Sequence, residues 1–175
     1  RADLAVSLTR AGMAEDADTI AAFCASLRRQ GTPVDLLVNS AGIMAVPEVT
    51  RDARGNEMQF STNHLGHFLL TNLLRDKLAA GSGALVLNTS SVGNLAGSVD
   101  LDDLDWERRR ALELRCYGTG KLENILFTRG IAQRWSDDGI VSAAVHPGPA
   151  ATKFGRDSFF VGLLYRTPLK RIGTI

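Results

Sequence analysis

Cysteine is scarce in this sequence: Cys24 and Cys116 are the two thiols in 175 residues. Two are too few for a disulfide framework, and their separation is not a metal-ligand spacing, which favours a reducing compartment. Net charge is nearly absent as well, since 20 Lys and Arg offset 19 Asp and Glu to leave +1. The longest basic tract is Arg108-Arg109-Arg110, so nothing here attracts a nucleic acid. No apolar run is long enough to span a bilayer and no signal-peptide pattern opens the sequence, so the cytosol is the expected compartment. Internal repeats and low-complexity segments are also lacking. A last absence concerns the front of the chain, where neither Gly-x-x-x-Gly-x-Gly nor Gly-x-Gly-x-x-Gly occurs. That turn is what holds a dinucleotide pyrophosphate against a helix N-terminus.

What is present reads as one soluble-type domain, with 45% apolar and 22% charged residues. Strand-like runs at Leu4–Thr9, Val34–Asn39, Ala84–Asn88 and Ile140–Val145 alternate with helical patterns. Ile20, Phe23, Cys24 and Leu27 recur at helical spacing behind Asp18, the expected N-cap. Met58 to Leu78 reads as one long helix closed by Gly81, and Tyr117 to Trp135 as another, ended by Asp137-Asp138-Gly139. Such alternation predicts a parallel sheet covered on both faces. The acidic loop Asp100–Asp105 and the basic run after Trp106 read as a solvated excursion.

The chemistry-bearing pattern is Tyr117 and Lys121, one helical turn apart, with Ser91 upstream beyond Ala84-Leu-Val-Leu-Asn88. A phenol with a pKa of about 10 is a poor base near neutral pH. A cation four residues on, on the same helical face, is expected to favour the phenolate and lower that pKa. A nearby hydroxyl could hydrogen-bond a substrate oxygen whose charge changes, so the trio suits carbonyl–alcohol chemistry. Tyr-x-x-x-Lys is weak by itself and gains weight from Asn39-Ser40-Ala41-Gly42 after the second strand, Asn63-His64-Leu65-Gly66-His67-Phe68 in the long helix, and His146-Pro147-Gly148 after the last strand.

With these motifs in this order, the chain resembles the short-chain dehydrogenase/reductase family over nearly its whole length. Asn63–Thr71 and Lys121–Thr128 resemble its retinol dehydrogenase and WW-domain oxidoreductase branch. The resemblance implies an NAD- or NADP-dependent oxidoreductase acting on a small lipophilic alcohol or carbonyl. It makes Tyr117 the general acid/base, Lys121 the group that lowers its pKa and binds the nicotinamide ribose, and Ser91 the substrate-orienting hydroxyl in preference to Ser90. Asn63 becomes the fourth catalytic residue, kinking its helix and holding a relay water. Asn39, Ala41 and Gly42 would form the turn over which the cofactor lies, and Pro147, Gly148 and Thr152 the turn beside the nicotinamide. A homodimer through the helices at Met58–Leu78 and Tyr117–Trp135 is expected by the same route.

Several positions depart from the family pattern. Ser40 replaces a second Asn, Pro149 stiffens the last turn, and Thr9-Arg10 stands where an adenine-contacting acid is expected. Gly118 and Gly120 should loosen the turn between Tyr117 and Lys121, each costing about 0.5–1 kcal/mol relative to Ala. His64 and His67 suggest packing or hydrogen bonding rather than a metal, for want of a third ligand. Phe159–Tyr165 reads as a substrate-covering lid ahead of a membrane-surface contact. The expected architecture is a partial doubly wound, Rossmann-like α/β domain over 1–175, lacking the first two strands and the closing helix and strand. In the usual order 3-2-1-4-5-6, that loss exposes one side of Val34–Asn39. The chain is therefore expected to be an excerpt of a longer enzyme or a degenerate copy, and a non-catalytic remnant acting through protein contacts is the alternative function. A nucleotide-sugar epimerase fits less well.

Overall fold

A computed structural model describes residues 14–44 and 49–148. The strand expected at Leu4–Thr9, Thr9-Arg10, Pro149, Thr152 and the Phe159–Tyr165 segment lie outside the described residues. Helix α1 runs over Ala17–Arg29 and is capped by Asp16, not Asp18. The Asp16 carboxylate accepts from the N–H groups of Asp18 and Thr19 at 3.0 and 3.3 Å, the usual N-cap geometry. Asp18 falls instead in the first turn and pairs with Arg54 at 2.8 Å.

Three strands follow the sequence expectation closely: β1 Leu36–Asn39, β2 Leu85–Thr89 and β3 Val141–Val145. They pair in parallel in the order β1-β2-β3, with Asn39 opposite Asn88 and Asn88 opposite Ala144. The long helix expected over Met58–Leu78 is broken into a turn α2 at Met58–Phe60, a π-turn at Ser61–Leu65, α3 at Gly66–Leu73 and α4 at Arg75–Ala79. In the π-turn the Gly66 N–H reaches back five residues to the Ser61 carbonyl, which bends the helix around Asn63. A 3-10 turn, Val92–Ala96, follows β2, and α5 spans Glu113–Arg134, starting one turn before Tyr117.

Both crossovers advance the same way across the sheet, from β1 to β2 to β3. Right-handed connections then put their helices on one face. There, Ile20, Cys24 and Leu27 of α1 meet Leu37 and Val86 of the sheet, Leu70, Leu74 and Leu78 of the bent helix, and Phe127 and Ile131 of α5 in one core. Among the described residues the opposite face is uncovered. Leu36 and Val38 are 51% and 44% exposed, and Val141 is 60% exposed. The expected second layer is not found within 14–44 and 49–148, whose two crossovers run the same way across the sheet.

The excursion at 100–110 is solvated in part, with Leu101, Asp102, Glu107, Arg108 and Arg110 exposed, but it is anchored. Asp103 and Trp106 are buried. Burial pushes the Asp103 carboxyl up, but the N–H groups of Arg108 and Arg109 and the Arg109 guanidinium outweigh it and hold it at about 2. Arg109 stacks over Trp106 at 4.2 Å, and the Asp105 carboxylate accepts from the Glu57 N–H at 2.9 Å, fixing this loop to the start of the bent helix.

Candidate active site

The carboxyl ends of the strands and the inner face of α5 bring most of the expected residues together. Ser91 leaves β2 and caps the Val92–Ala96 turn, its hydroxyl oxygen accepting from the Gly93 N–H at 3.2 Å. Its side chain is also hydrogen-bonded to Tyr117. Ser90 points the other way and donates to the Lys121 carbonyl at 2.8 Å, which separates the two serines into a site hydroxyl and a bracing one.

Tyr117 and Lys121 are both buried, and the ammonium Nζ lies 5.5 Å from the phenol ring centroid. The electrostatics differ from the sequence argument. Burial raises the Tyr117 pKa above its ordinary value, the Ser91 hydrogen bond opposing, and burial pushes Lys121 down to about 8. Desolvation disfavours charge on either partner, so near neutral pH the pair holds a protonated phenol beside an ammonium. Lys121 Nζ donates to the Thr89 carbonyl at 3.3 Å.

Gly42 closes the arrangement. A Cβ there would come within 3.1 Å of Asn63 Oδ1 and 3.5 Å of Lys121 Nζ, so the turn after β1 faces both groups across a space of glycine size. Asn63, fully buried, clamps the next residue twice: the Ile43 N–H donates to its Oδ1 at 2.8 Å, and its Nδ2 donates to the Ile43 carbonyl at 2.9 Å. Asn39 uses its amide internally, donating to Thr71 Oγ1 at 2.9 Å and Asn88 Oδ1 at 2.8 Å; at this turn Ala41 and Gly42 are the less buried members. Pro147 and Gly148 follow β3, Gly148 at φ +81, a left-handed position suited to glycine.

A family model described as short chain dehydrogenase matches residues 6–103. Retinol dehydrogenase 13 of Homo sapiens is 44% identical over 138 residues, which cover 79% of this chain and 41% of that protein. The chain belongs to the short-chain dehydrogenase/reductase family. Within it, the likeness is to the retinol dehydrogenase branch. Among solved structures, a putative uncharacterized protein from Mycobacterium paratuberculosis is 35% identical with a TM-score of 0.69, covering 87% of this chain and 55% of that one. A blue fluorescent protein from a metagenomic library, in complex with NADPH, is 25% identical with a TM-score of 0.63, covering 86% of this chain and 54% of that one. The chain thus spans about two fifths of the length of the curated relative above.

The sequence reading missed the inward face of this family fold. Asn88, Thr128 and Asn124 form a polar seam: Asn88 Nδ2 donates to Thr128 Oγ1 at 2.9 Å, and Asn124 Nδ2 donates to the carbonyls of Asn63 and Thr89 at 2.9 and 3.0 Å. The signal was present, because Asn124 and Thr128 share the helical stripe of Tyr117 and Lys121. His64 and His67 take hydrogen-bonding roles with Asn124 Oδ1 and the Asn63 carbonyl. His67 must carry its proton on Nδ1 to donate there, and burial first, then the Lys121 charge, hold its pKa at about 4.

Gly118 is corrected from a loosened position to a close contact. A Cβ there would meet the Gly93 carbonyl oxygen at 2.3 Å and the Gly97 nitrogen at 3.0 Å, so α5 lies backbone to backbone on the turn that Ser91 caps. Gly118→Ala gains about 1 kcal/mol of helix propensity but forces an overpacking cost of about 1–3 kcal/mol or more. Thermal denaturation should therefore show Gly118→Ala less stable than wild type, and Gly120→Ala, whose Cβ would stand 3.4 Å from Asn63 Cβ in ordinary contact, at least as stable as wild type. A Gly118→Ala protein as stable as wild type would refute the tight seam.

Proposed function

We propose that the protein containing this chain is a nicotinamide-dependent oxidoreductase that interconverts a lipophilic carbonyl and its alcohol. The observation that carries this reading is the half-buried Ser91 hydrogen-bonded to the buried Tyr117, with the buried Lys121 beside the phenol and facing the Gly42 turn. Lys121 supports the cofactor assignment: an ammonium has three donors, one of which goes to the Thr89 carbonyl. The others would hold the ribose hydroxyls, with Asn39, Ala41, Gly42, Pro147 and Gly148 in the surrounding turns. When bound, the nicotinamide supplies or accepts the hydride. NAD and NADP are both compatible with these residues.

In the reducing direction, Tyr117 Oη donates its proton to the carbonyl oxygen while the Ser91 hydroxyl steadies that oxygen. The raised phenol pKa supports the acid role, since the proton to be given is in place near neutral pH. Lys121, still largely protonated below about 8, stabilises the phenolate left behind. Asn63 keeps the Gly42 turn at its distance through Ile43. A lipophilic substrate is supported by the exposed side chains beside Ser91, Val92 at 60% and Leu95 at 83%, and by the retinol dehydrogenase likeness.

Tyr117→Phe tests the reading. With retinal and NADPH or NADH, turnover in the intact protein should fall by about 10²-fold or more while the melting temperature stays near wild type. Wild-type turnover in that variant would reject the site.

Lys121 supplies a pH test with a fixed sign. Its folded pKa, about 8, lies below the ordinary lysine value of 10.5, so holding the charge costs stability in full below pH 8. Between 8 and 10.5 the unfolded chain binds more protons than the native one, and wild-type stability rises. Lys121→Met, which carries no buried charge, should melt higher than wild type at pH 7 while losing turnover, and its advantage should shrink as pH rises from 8 to 10.5. A variant less stable than wild type at pH 7 would contradict the buried cation.

A further inference from the structure

Asn124 has a place in the site that its family motif does not explain. The residue is fully buried on α5, three positions after Lys121. Its two amide N–H groups go to two different carbonyls, Asn63 at 2.9 Å on the π-turn and Thr89 at 3.0 Å at the end of β2. Both partners are acceptors, so the amide nitrogen must face them and Oδ1 must face His64. The Oδ1–His64 Nδ1 distance is 3.0 Å, which requires a proton on Nδ1, and burial lowers the His64 pKa. One side chain therefore joins the bent helix, the sheet and α5.

The two carbonyls it holds are the ones that frame the site. Thr89 is shared: Lys121 Nζ takes one lone pair at 3.3 Å and Asn124 Nδ2 the other. Asn63 is shared as well, between Asn124 Nδ2 and His67 Nδ1 at 3.0 Å. With both lone pairs of the Asn63 carbonyl engaged by side chains, the link from Asn63 to Lys121 runs through the Asn124 amide and the Thr89 carbonyl. An amide holds position without moving protons at ordinary pH, so the link is mechanical.

Resting on the oxidoreductase reading above, we infer that Asn124 is a positioning residue that sets the location of the Lys121 ammonium by fixing the Thr89 and Asn63 carbonyls. Removing this amide takes one of two partners from the Asn63 and Thr89 carbonyls and leaves the His64 N–H without its Oδ1 acceptor. Buried polar groups left so draw in water, and water at this seam reaches the lysine. The titratable groups that face Lys121 are Tyr117 on its own helix and His67 on α3, while His64 faces Asn124.

The test is steady-state kinetics of Asn124→Ala in the intact protein, with retinal and a saturating nicotinamide cofactor across pH 6–10. The expected result is a kcat lower by on the order of tenfold or more, a KM for the carbonyl within about twofold, and an alkaline limb of kcat moved upward from its wild-type position as Lys121 regains solvent. A merely structural asparagine would lower the melting temperature and leave that limb in place. Asn124→Ser, which keeps a single donor on a small side chain, should fall between the two and is read in the same way if the alanine variant does not fold. A wild-type kcat with an unshifted limb in the folded variant overturns the inference. Tyr117→Phe assayed alongside separates the failures: with Tyr117→Phe inactive and Asn124→Ala normal, the positioning role falls alone, whereas an active Tyr117→Phe removes both.

Discussion

A buried carboxamide, Asn63, is the tie on which the geometry of the site depends. Its side chain pairs with both backbone groups of Ile43, so the turn after β1 cannot move without the bent helix. Its carbonyl is held from α5 by Asn124. The π-turn at Ser61–Leu65 is what brings the residue to this position; the one extra residue it takes up offsets the side chains that follow by about 100° around the axis relative to a regular helix. Glycines then set the spacing. Gly42 lets the β1 turn approach Asn63 and Lys121, and Gly118 lets α5 approach the turn capped by Ser91.

Burial is the second constraint, and it acts on both members of the proton-transfer pair in opposite senses. The phenol is raised and the ammonium lowered, because each charged form loses hydration in the same enclosed space. A site optimised for stability would carry an apolar residue at 121. Retaining a lysine there trades folding free energy for a cation placed beside the phenol, a familiar cost of functional sites. The cysteines show the same desolvation without the function: burial pushes Cys24 and Cys116 up to about 11 and about 12, which leaves them as unreactive thiols in the packing.

Much of this architecture was legible in the chain. The three described strands were found because short apolar runs ended at Asn39, Asn88 and Val145 with turn chemistry beyond them. The Tyr117–Lys121 spacing was found because one helical turn is a local property. What escaped is non-local. The break of the Met58–Leu78 helix depends on the Asn63–Ile43 clamp, a contact between residues twenty apart. The pKa directions depend on enclosure by β2, the bent helix and the 92–97 turn together, which residue spacing cannot report. Asn124 looked like a polar residue on a helix until its two carbonyl partners were placed, and Gly118 looked like a weak helix former until the opposing backbone was seen. Alternation of strands and helices predicts layers but not the direction in which consecutive crossovers travel, so it does not say that the described helices share one face of the sheet.

The central claim is that Ser91, Tyr117, Lys121 and the Asn39–Gly42 turn form one cleft for a nicotinamide and a carbonyl. A crystal structure of the intact protein with NADPH tests it most directly. The account predicts the nicotinamide ribose against Lys121 Nζ, with the phenol of Tyr117 and the hydroxyl of Ser91 opening on the same side of the nicotinamide ring. A cofactor bound away from Lys121, or a Tyr117 phenol turned out of the cleft that holds it, would contradict the account.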